Sequence, residues 1–321
     1  MMAGPGRIEP RIDVILGRCD DMRAEVYVRA TGLPPTGELP VISGSLTGPE
    51  SRLAMTLPAA ARLSDLGPGP RGGDDGASGI DRSAVARGIL TEPGYWTPEL
   101  PHRYRLLAEV RAGGDVIASC NRLVGLRRLG VRGRSLWLEG RRWVPRGVDC
   151  LADELDPGVF RELLATAVLD DPEEVPCAAA DEAGGAIIVR CGGDPVAGCL
   201  RWARHPSVMM TVLPRGTDAA AMASLIDAIG SFKGTMLLGL QVDGGAPPPV
   251  VPEGIDCFVM SLAAGEMPHD AWRTPPTVPV LAARPAIGGV RDRRAACDRL
   301  QANLAAWHGA AVPAWDWAGF M

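Results

Sequence analysis

The side chains with a capacity for chemistry in this sequence are mostly basic or aromatic. Arg215 closes the apolar run "VMMTVLPR" and Arg284 closes "PVLAAR". Two guanidinium groups held near one another could grip a carboxylate or phosphate through bidentate hydrogen bonds. Trp315 and Trp317 flank Asp316 in "WDW", and an indole there could stack on a flat ring such as that of a sugar. His205, in "RHPS", could act as a base, but between a helix and a strand it is better explained as a cap or a buried hydrogen-bond partner. The stretch "CGGDP" (191–195) sets two glycines before a helix start, where backbone N–H groups could seat an anion. The third glycine and the distal acid of a dinucleotide fingerprint are missing, so it reads as a turn. The eight cysteines include no Cys-x-x-Cys pair and no short spacing to histidine. No metal centre and no cofactor are therefore expected, and the thiols fit a reducing compartment.

Two kinds of element must position these groups. Up to about residue 140 the chain alternates with the two-residue period of half-buried strands, at 11–17, 24–31, 51–57, 83–90, 103–110 and 115–126. Short strands parted by Gly, Pro and Asp turns predict an antiparallel sandwich. The stretch 65–83 is too rich in Gly and Asp to pack and is expected as a loop. From about residue 143 apolar strands alternate with helical segments. Strands are expected at 142–148, 166–170, 186–190, 208–213, 235–240, 255–262, 278–283 and 312–317. Helices are expected at 156–165, 194–204, 217–230 and 291–309, the first two opened by Asp-Pro. Eight apolar strands with intervening helices predict a parallel (β/α)8 TIM-like barrel. The barrel must be a shortened one, because this segment is smaller than the roughly 250 residues usual for that fold. The stretch 241–254 reads as a plain loop in place of a helix. The predicted organisation is an antiparallel β-sandwich over 1–141 followed by a barrel over 142–321.

Charge narrows the partners. A formal net charge of −5 over 321 residues attracts neither nucleic acid nor an anionic membrane. The eight arginines between Arg122 and Arg146 lie in strands and hairpins with little aromatic interleaving, which fits a solvated face or an interface rather than an RNA-binding surface. No stretch has the length of a membrane span, and the first residues lack the pattern of a secretory signal. A cytoplasmic protein is expected, with a protein partner, a second copy of itself, or a carbohydrate or anionic ligand.

Several motifs together resemble glycoside hydrolase family 2, the β-galactosidase and β-glucuronidase group. The W-x-P-E-x-P-x-x-Y-x-L pattern that ends the family's central immunoglobulin-like domain is matched by "YWTPELPHRYRL" (95–106), so the resemblance implies an immunoglobulin-like β-sandwich over 1–141. The family's junction into the first barrel strand is matched by "VGLRRLGVRGRSLWLEGRRWVPRGVD" (124–149), with Gly125, Arg127, Leu136, Gly140, Arg146, Gly147 and Val148 in register. "AADEAGGAIIV" (179–189) is similar to its helix end and third strand, and "RHPSVMMTVL" to its approach to the fourth. The resemblance implies retaining hydrolysis, which needs two carboxyl groups about 5 Å apart, one to protonate the leaving oxygen and one to attack. In the family these are glutamates ending strands four and seven. Where the family has Asn-Glu at the end of strand four this sequence has Arg215-Gly216, and Arg284 stands in place of the strand-seven nucleophile. The resemblance thus implies a glycosidase fold without its catalytic residues, serving as a scaffold or as a binding module through Arg215, Arg284, Trp315 and Trp317. The alternative is an active glycosidase that uses the remaining acids Asp149 and Asp316.

Overall fold

The computed structural model describes residues 10–34, 38–68, 82–308 and 315–321. The chain divides into two compact units, one of residues 1–95 with 102–126, the other of 96–101 with 127–321.

The first unit is built of antiparallel strands β1 (Arg11–Cys19), β2 (Arg23–Leu33), β3 (Val41–Glu50), β4 (Ala59–Arg62), β5 (Ser64–Pro68), β6 (Arg82–Thr91), β7 (Arg103–Ala112) and β8 (Asp115–Val124). They form two four-stranded sheets in the orders β1-β2-β6-β5 and β4-β3-β7-β8. Alternate residues of both sheets, among them Val26, Val28, Ile42, Leu46, Ala86, Leu106 and Val110, meet in one apolar core, which makes this a β-sandwich. The expected strand at 51–57 is not one. Its Leu53, Met55 and Leu57 point to solvent, and β3 and β4 on either side supply the pairing instead. Part of the expected loop is also ordered: residues 64–68 form β5 on a sheet edge and 82–83 open β6. The remainder, 69–81, lies outside the described residues.

The second unit opens with a three-stranded antiparallel sheet of β9 (Leu129–Arg132), β10 (Ser135–Leu138) and β11 (Arg141–Trp143). Eight parallel strands follow in sequence order: β12 (Gly147–Asp149), β13 (Thr166–Asp170), β14 (Ile187–Arg190), β15 (Val208–Leu213), β16 (Leu237–Asp243), β17 (Cys257–Ser261), β18 (Val280–Ala283) and β19 (Gly319–Phe320). A parallel bridge between Arg146 and Phe320, with Phe320 N–H donating to Pro145 O at 3.0 Å, brings the last strand beside the first. The result is a nearly closed TIM-like barrel. Its interior is packed by Val168, Ile188, Met210, Val212, Cys257, Val259 and Leu281, and Leu136 of β10 joins that cluster.

The helices are α1 (Pro157–Glu162), α2 (Glu174–Ala183), α3 (Pro195–Trp202), α4 (Ala219–Ile229) and α5 (Val290–His308). Asp156, Asp194 and Asp218 cap three of them by accepting backbone N–H bonds from the first turn. The barrel is short because the β16–β17 connection has no helix and the β17–β18 connection only one 3₁₀ turn, Asp270–Arg273. Two expectations need correction here. Helix α2 was expected only at its end; its Pro176 sits in the first turn, where a missing N–H costs nothing. The last strand is Gly319–Phe320 rather than 312–317: Trp315, Asp316 and Trp317 precede it, and residues 312–314 lie outside the described part.

Candidate functional site

In a parallel barrel every strand ends at the same mouth, where this architecture carries its sites. The last inward-facing residues of five strands are polar: Asp149 on β12, Asp170 on β13, Arg190 on β14, Gln241 and Asp243 on β16, and Ser261 on β17; β15 and β18 end inward on Val212 and Ala283. Asp170, Arg190 and Ser261 follow the interior residues Val168, Ile188 and Val259 two positions earlier, as the strand period requires.

Arg190 organises one side of the mouth. Its guanidinium lies 2.6 Å from Asp149 Oδ1 and 2.6 Å from Asp170 Oδ1. Burial works against its charge, but the hydrogen bonds and charges of Asp170 and Asp149 outweigh that, and its pKa is raised. One cation therefore fills the space between the two carboxylates. Arg293, from the start of α5, donates to the backbone carbonyl of Asp149 and pairs with Glu154 at 2.9 Å, which fixes the loop after β12. The neighbouring thiol, Cys150, is pushed up to about 12 by burial and by Glu154, so it offers no thiolate.

On the other side, Arg215, two residues beyond β15, pairs with Asp243 at 2.9 Å. Arg284, directly after β18, donates its backbone N–H to Met321 O at 2.8 Å and its side chain to the carbonyl of Glu266. The Glu266 carboxylate is itself held by Ala263 N–H at 2.7 Å. Gln241 donates to Ser261 Oγ at 2.9 Å. Each of these charged side chains has a partner from the protein itself.

The mouth thus holds Asp149, Arg215 with the adjoining Gly216, and Arg284. Arg215 and Arg284 do not act on a shared partner; each is bound to a different group. Asp316, Trp315 and Trp317 lie elsewhere. They precede β19 and stand at the opposite, N-terminal end of the barrel, where Asp316 pairs with Arg142 at 2.8 Å. Along the strands that places Asp316 roughly 20 Å from the level of Asp149, at about 3.3 Å per residue. The expectation of "WDW" at the mouth rested on a strand over 312–317, and it fails with that strand. Asp170, Arg190, Asp243 and Arg293 were missed by sequence reasoning. The signal for the first two was present, since each closes a strand read correctly, "TAVLD" and "AIIVR".

The residues that carry the family resemblance gather away from the mouth. Asp181 Oδ2 lies 2.7 Å from His205 Nδ1, Asp181 Oδ1 accepts Ser207 N–H at 2.9 Å, and Asp181 O accepts Trp96 Nε1–H at 2.8 Å. The buried Arg127 guanidinium donates to the carbonyls of Pro206 (2.7 Å), Val208 (2.5 Å) and Thr235. Desolvation lowers its pKa to about 10, with Asp181 opposing, so it stays cationic at neutral pH. His205 is thus a structural partner of Asp181 at the start of β15, far from any mouth chemistry.

No protein-family profile matches the chain, and no curated protein does. Solved structures do. The β-glucuronidase of Ruminococcus gnavus superposes with a TM-score of 0.63 at 14% identity, over 98% of this chain and 60% of its own. A glycosyl hydrolase family 2 member from Bacteroides cellulosilyticus gives 0.60 at 15% identity, over 85% and 41%. A β-glycosidase from Bacteroides vulgatus gives 0.58 at 13% identity, over 86% and 38%. The chain therefore spans between 38% and 60% of the length of these three structures. What it shares with these glycosidases is their fold, a β-sandwich and a TIM-like barrel in that order along the chain.

Proposed function

We propose that this chain is a glycosidase-fold protein that does not hydrolyse glycosides and that works instead as a structural subunit or binding module. The observation that carries the reading is the pair of guanidinium groups, Arg215 and Arg284, following the fourth and seventh barrel strands. There the resemblance calls for an Asn-Glu pair, whose places Arg215 and Gly216 take, and for a nucleophilic glutamate, whose place Arg284 takes. Gly216 has no side chain to give a proton, and a guanidinium can neither attack an anomeric carbon nor act as a general acid at neutral pH.

The acids that remain do not restore the chemistry. Asp149 and Asp170 are separated by Arg190, where a retaining enzyme needs open space for the sugar between its two carboxyl groups. Asp243 is held by Arg215. Asp149 and Asp316 cannot flank one bond from opposite ends of a barrel, and this removes the support for the alternative of an active glycosidase built on them. Arg215 is bound to Asp243 and Arg284 to the Glu266 carbonyl, with Arg284 Nε left without a partner among the described residues, and these separate engagements favour a structural role for that end over anion capture by the two arginines together.

The test is a panel of 4-nitrophenyl glycosides, including the β-galactoside and the β-glucuronide, incubated with the purified chain. The reading expects release of nitrophenol no faster than in buffer. Turnover proportional to protein concentration and abolished by Asp149→Asn or Asp170→Asn would overturn it.

A further inference from the structure

We propose that the N-terminal end of the barrel carries a binding site for a small ring-bearing carboxylate. A cavity of about 380 Å³ opens there, and Arg142, Arg146, His308, Trp315, Asp316 and Trp317 are among the residues that line it. It lies at the end opposite the strand termini and is independent of whether the mouth hydrolyses anything.

The wall is aromatic. Trp315 and Trp317 lie 4.4 Å apart between ring centroids, and His308 packs on them at 5.3 and 6.1 Å. All three side chains are at least nine-tenths buried. Trp315 is fully used as a wall, because its Nε1–H already donates to Trp272 O at 3.1 Å.

The polar atoms of the cavity are not used up. Trp317 Nε1, both ring nitrogens of His308 and Arg146 Nη1 are buried and find no hydrogen-bond partner among the described residues. Buried polar groups are paired in the great majority of cases, so four unpaired atoms on three residues that line one cavity call for a ligand or bound solvent to satisfy them. Burial, with Arg273 nearby, lowers the His308 pKa, so its neutral ring offers one donor and one acceptor. The unmet demand is therefore three donors to one acceptor, which asks for a ligand rich in acceptor oxygens.

Charge points the same way. Arg142 and Arg146 line the cavity against one acid, Asp316, which leaves the lining with one positive charge in excess. Asp316 holds Arg142 at the exposed rim, and Asp298 lies 3.5 Å from Arg146 while also pairing with Arg294 at 2.8 Å. Arg146 also lies over the Phe320 ring at 4.7 Å, so its position is fixed by packing. The cavity is at the small end of the range that suits small organic ligands, room for about one ring and its substituent. An aromatic ring or a sugar ring fits an indole wall equally well, and the carboxylate is the shared chemistry.

The test uses benzoate and glucuronate as probes, with benzamide and methyl glucoside as their neutral counterparts, followed by calorimetry and tryptophan fluorescence. One or both carboxylates should bind saturably and more tightly than their neutral counterparts, and the stronger of the two identifies the ring. Arg146→Gln should weaken binding about tenfold. His308→Phe keeps the ring and removes only the unpaired nitrogens, so it should fold and still weaken binding several-fold. Failure of both carboxylates to bind the wild-type chain up to about 10 mM would overturn the proposal. So would equal affinity for the neutral probes, binding unchanged in both variants, or binding lost in Arg284→Gln at the mouth and retained in Arg146→Gln.

Discussion

Replacing Arg127 with methionine tests how the barrel is held in register. The Arg127 guanidinium is buried and serves three backbone carbonyls, those of Pro206, Val208 and Thr235, which precede or open strands β15 and β16. Methionine fills most of the same volume with no donor, so packing is largely kept and the loss is polar. A buried acceptor left without its donor costs about 1–3 kcal/mol. Asp181, 7% exposed, would also lose a nearby positive charge. Allowing for partial relaxation and water entry, the substitution should destabilise the second unit by about 3–5 kcal/mol, in line with other broken buried charge networks. At about 2–4 °C per kcal/mol for a unit of this size, the melting temperature should fall by ~10 °C. Differential scanning calorimetry on the wild type and variant measures it directly. A fall of less than about 2 °C would show that the guanidinium bonds contribute nothing net and that apolar packing alone sets the register.

Other consequences are open to simpler measurements. Burial lowers the pKa of both His102 and His308 from the ordinary 6.5. The unfolded chain then binds more protons than the folded one below that value, so stability should fall as the pH drops from about 7 to 5. His308→Phe should reduce the slope, and a pH-independent melting temperature over that range would contradict the assignment. The thiols of Cys150, Cys177 and Cys199 are pushed up to about 12 by burial. They should resist iodoacetamide in the native state and react once denaturant is added, as mass spectrometry can follow; rapid native labelling of any of them would contradict the burial. Asp316 is mostly exposed despite its pairing with Arg142, so Asp316→Asn should change stability by less than about 1 kcal/mol, and a larger loss in chemical denaturation would show the pair to be structural.

Much of the barrel was readable in the sequence because fully buried parallel strands are continuous apolar runs. "TAVLD" and "VMMTVL" form strands over the residues expected, 166–170 and 208–213. The missing helix after β16 was also legible, since "GGAPPPVVPEG" contains nothing that could sustain one. The last strand was misplaced because two tryptophans in an apolar run look like a strand, whereas their area is buried in a cluster with His308 and the paired strand is only Gly319–Phe320. That slip carried Asp316 from one end of the barrel to the other in the sequence reading. The alternation in "SRLAMTL" failed for a different reason: periodicity shows which residues could face a core, and here no sheet lies behind them. The ion pairs at the mouth, such as Arg190 with Asp149 and Asp170, join residues 20 to 41 positions apart, and nothing in local spacing encodes them. By contrast the Trp96, Arg127, Asp181 and His205 motifs were legible as motifs but not as what they are, a buried hydrogen-bond network that holds the barrel rather than a site.

The central claim is that no carboxylate at the mouth can take up a glycosyl group. A retaining enzyme forms a covalent glycosyl intermediate on its nucleophile, and a 2-deoxy-2-fluoro glycoside with a good leaving group traps that intermediate as a stable adduct. Incubation of the chain with the 2-fluoro galactoside and glucuronide, followed by intact-mass measurement, should give the unmodified mass alone. A stoichiometric mass increase of one fluorosugar, mapped to Asp149, Asp170 or any other acid at the mouth, would contradict the account.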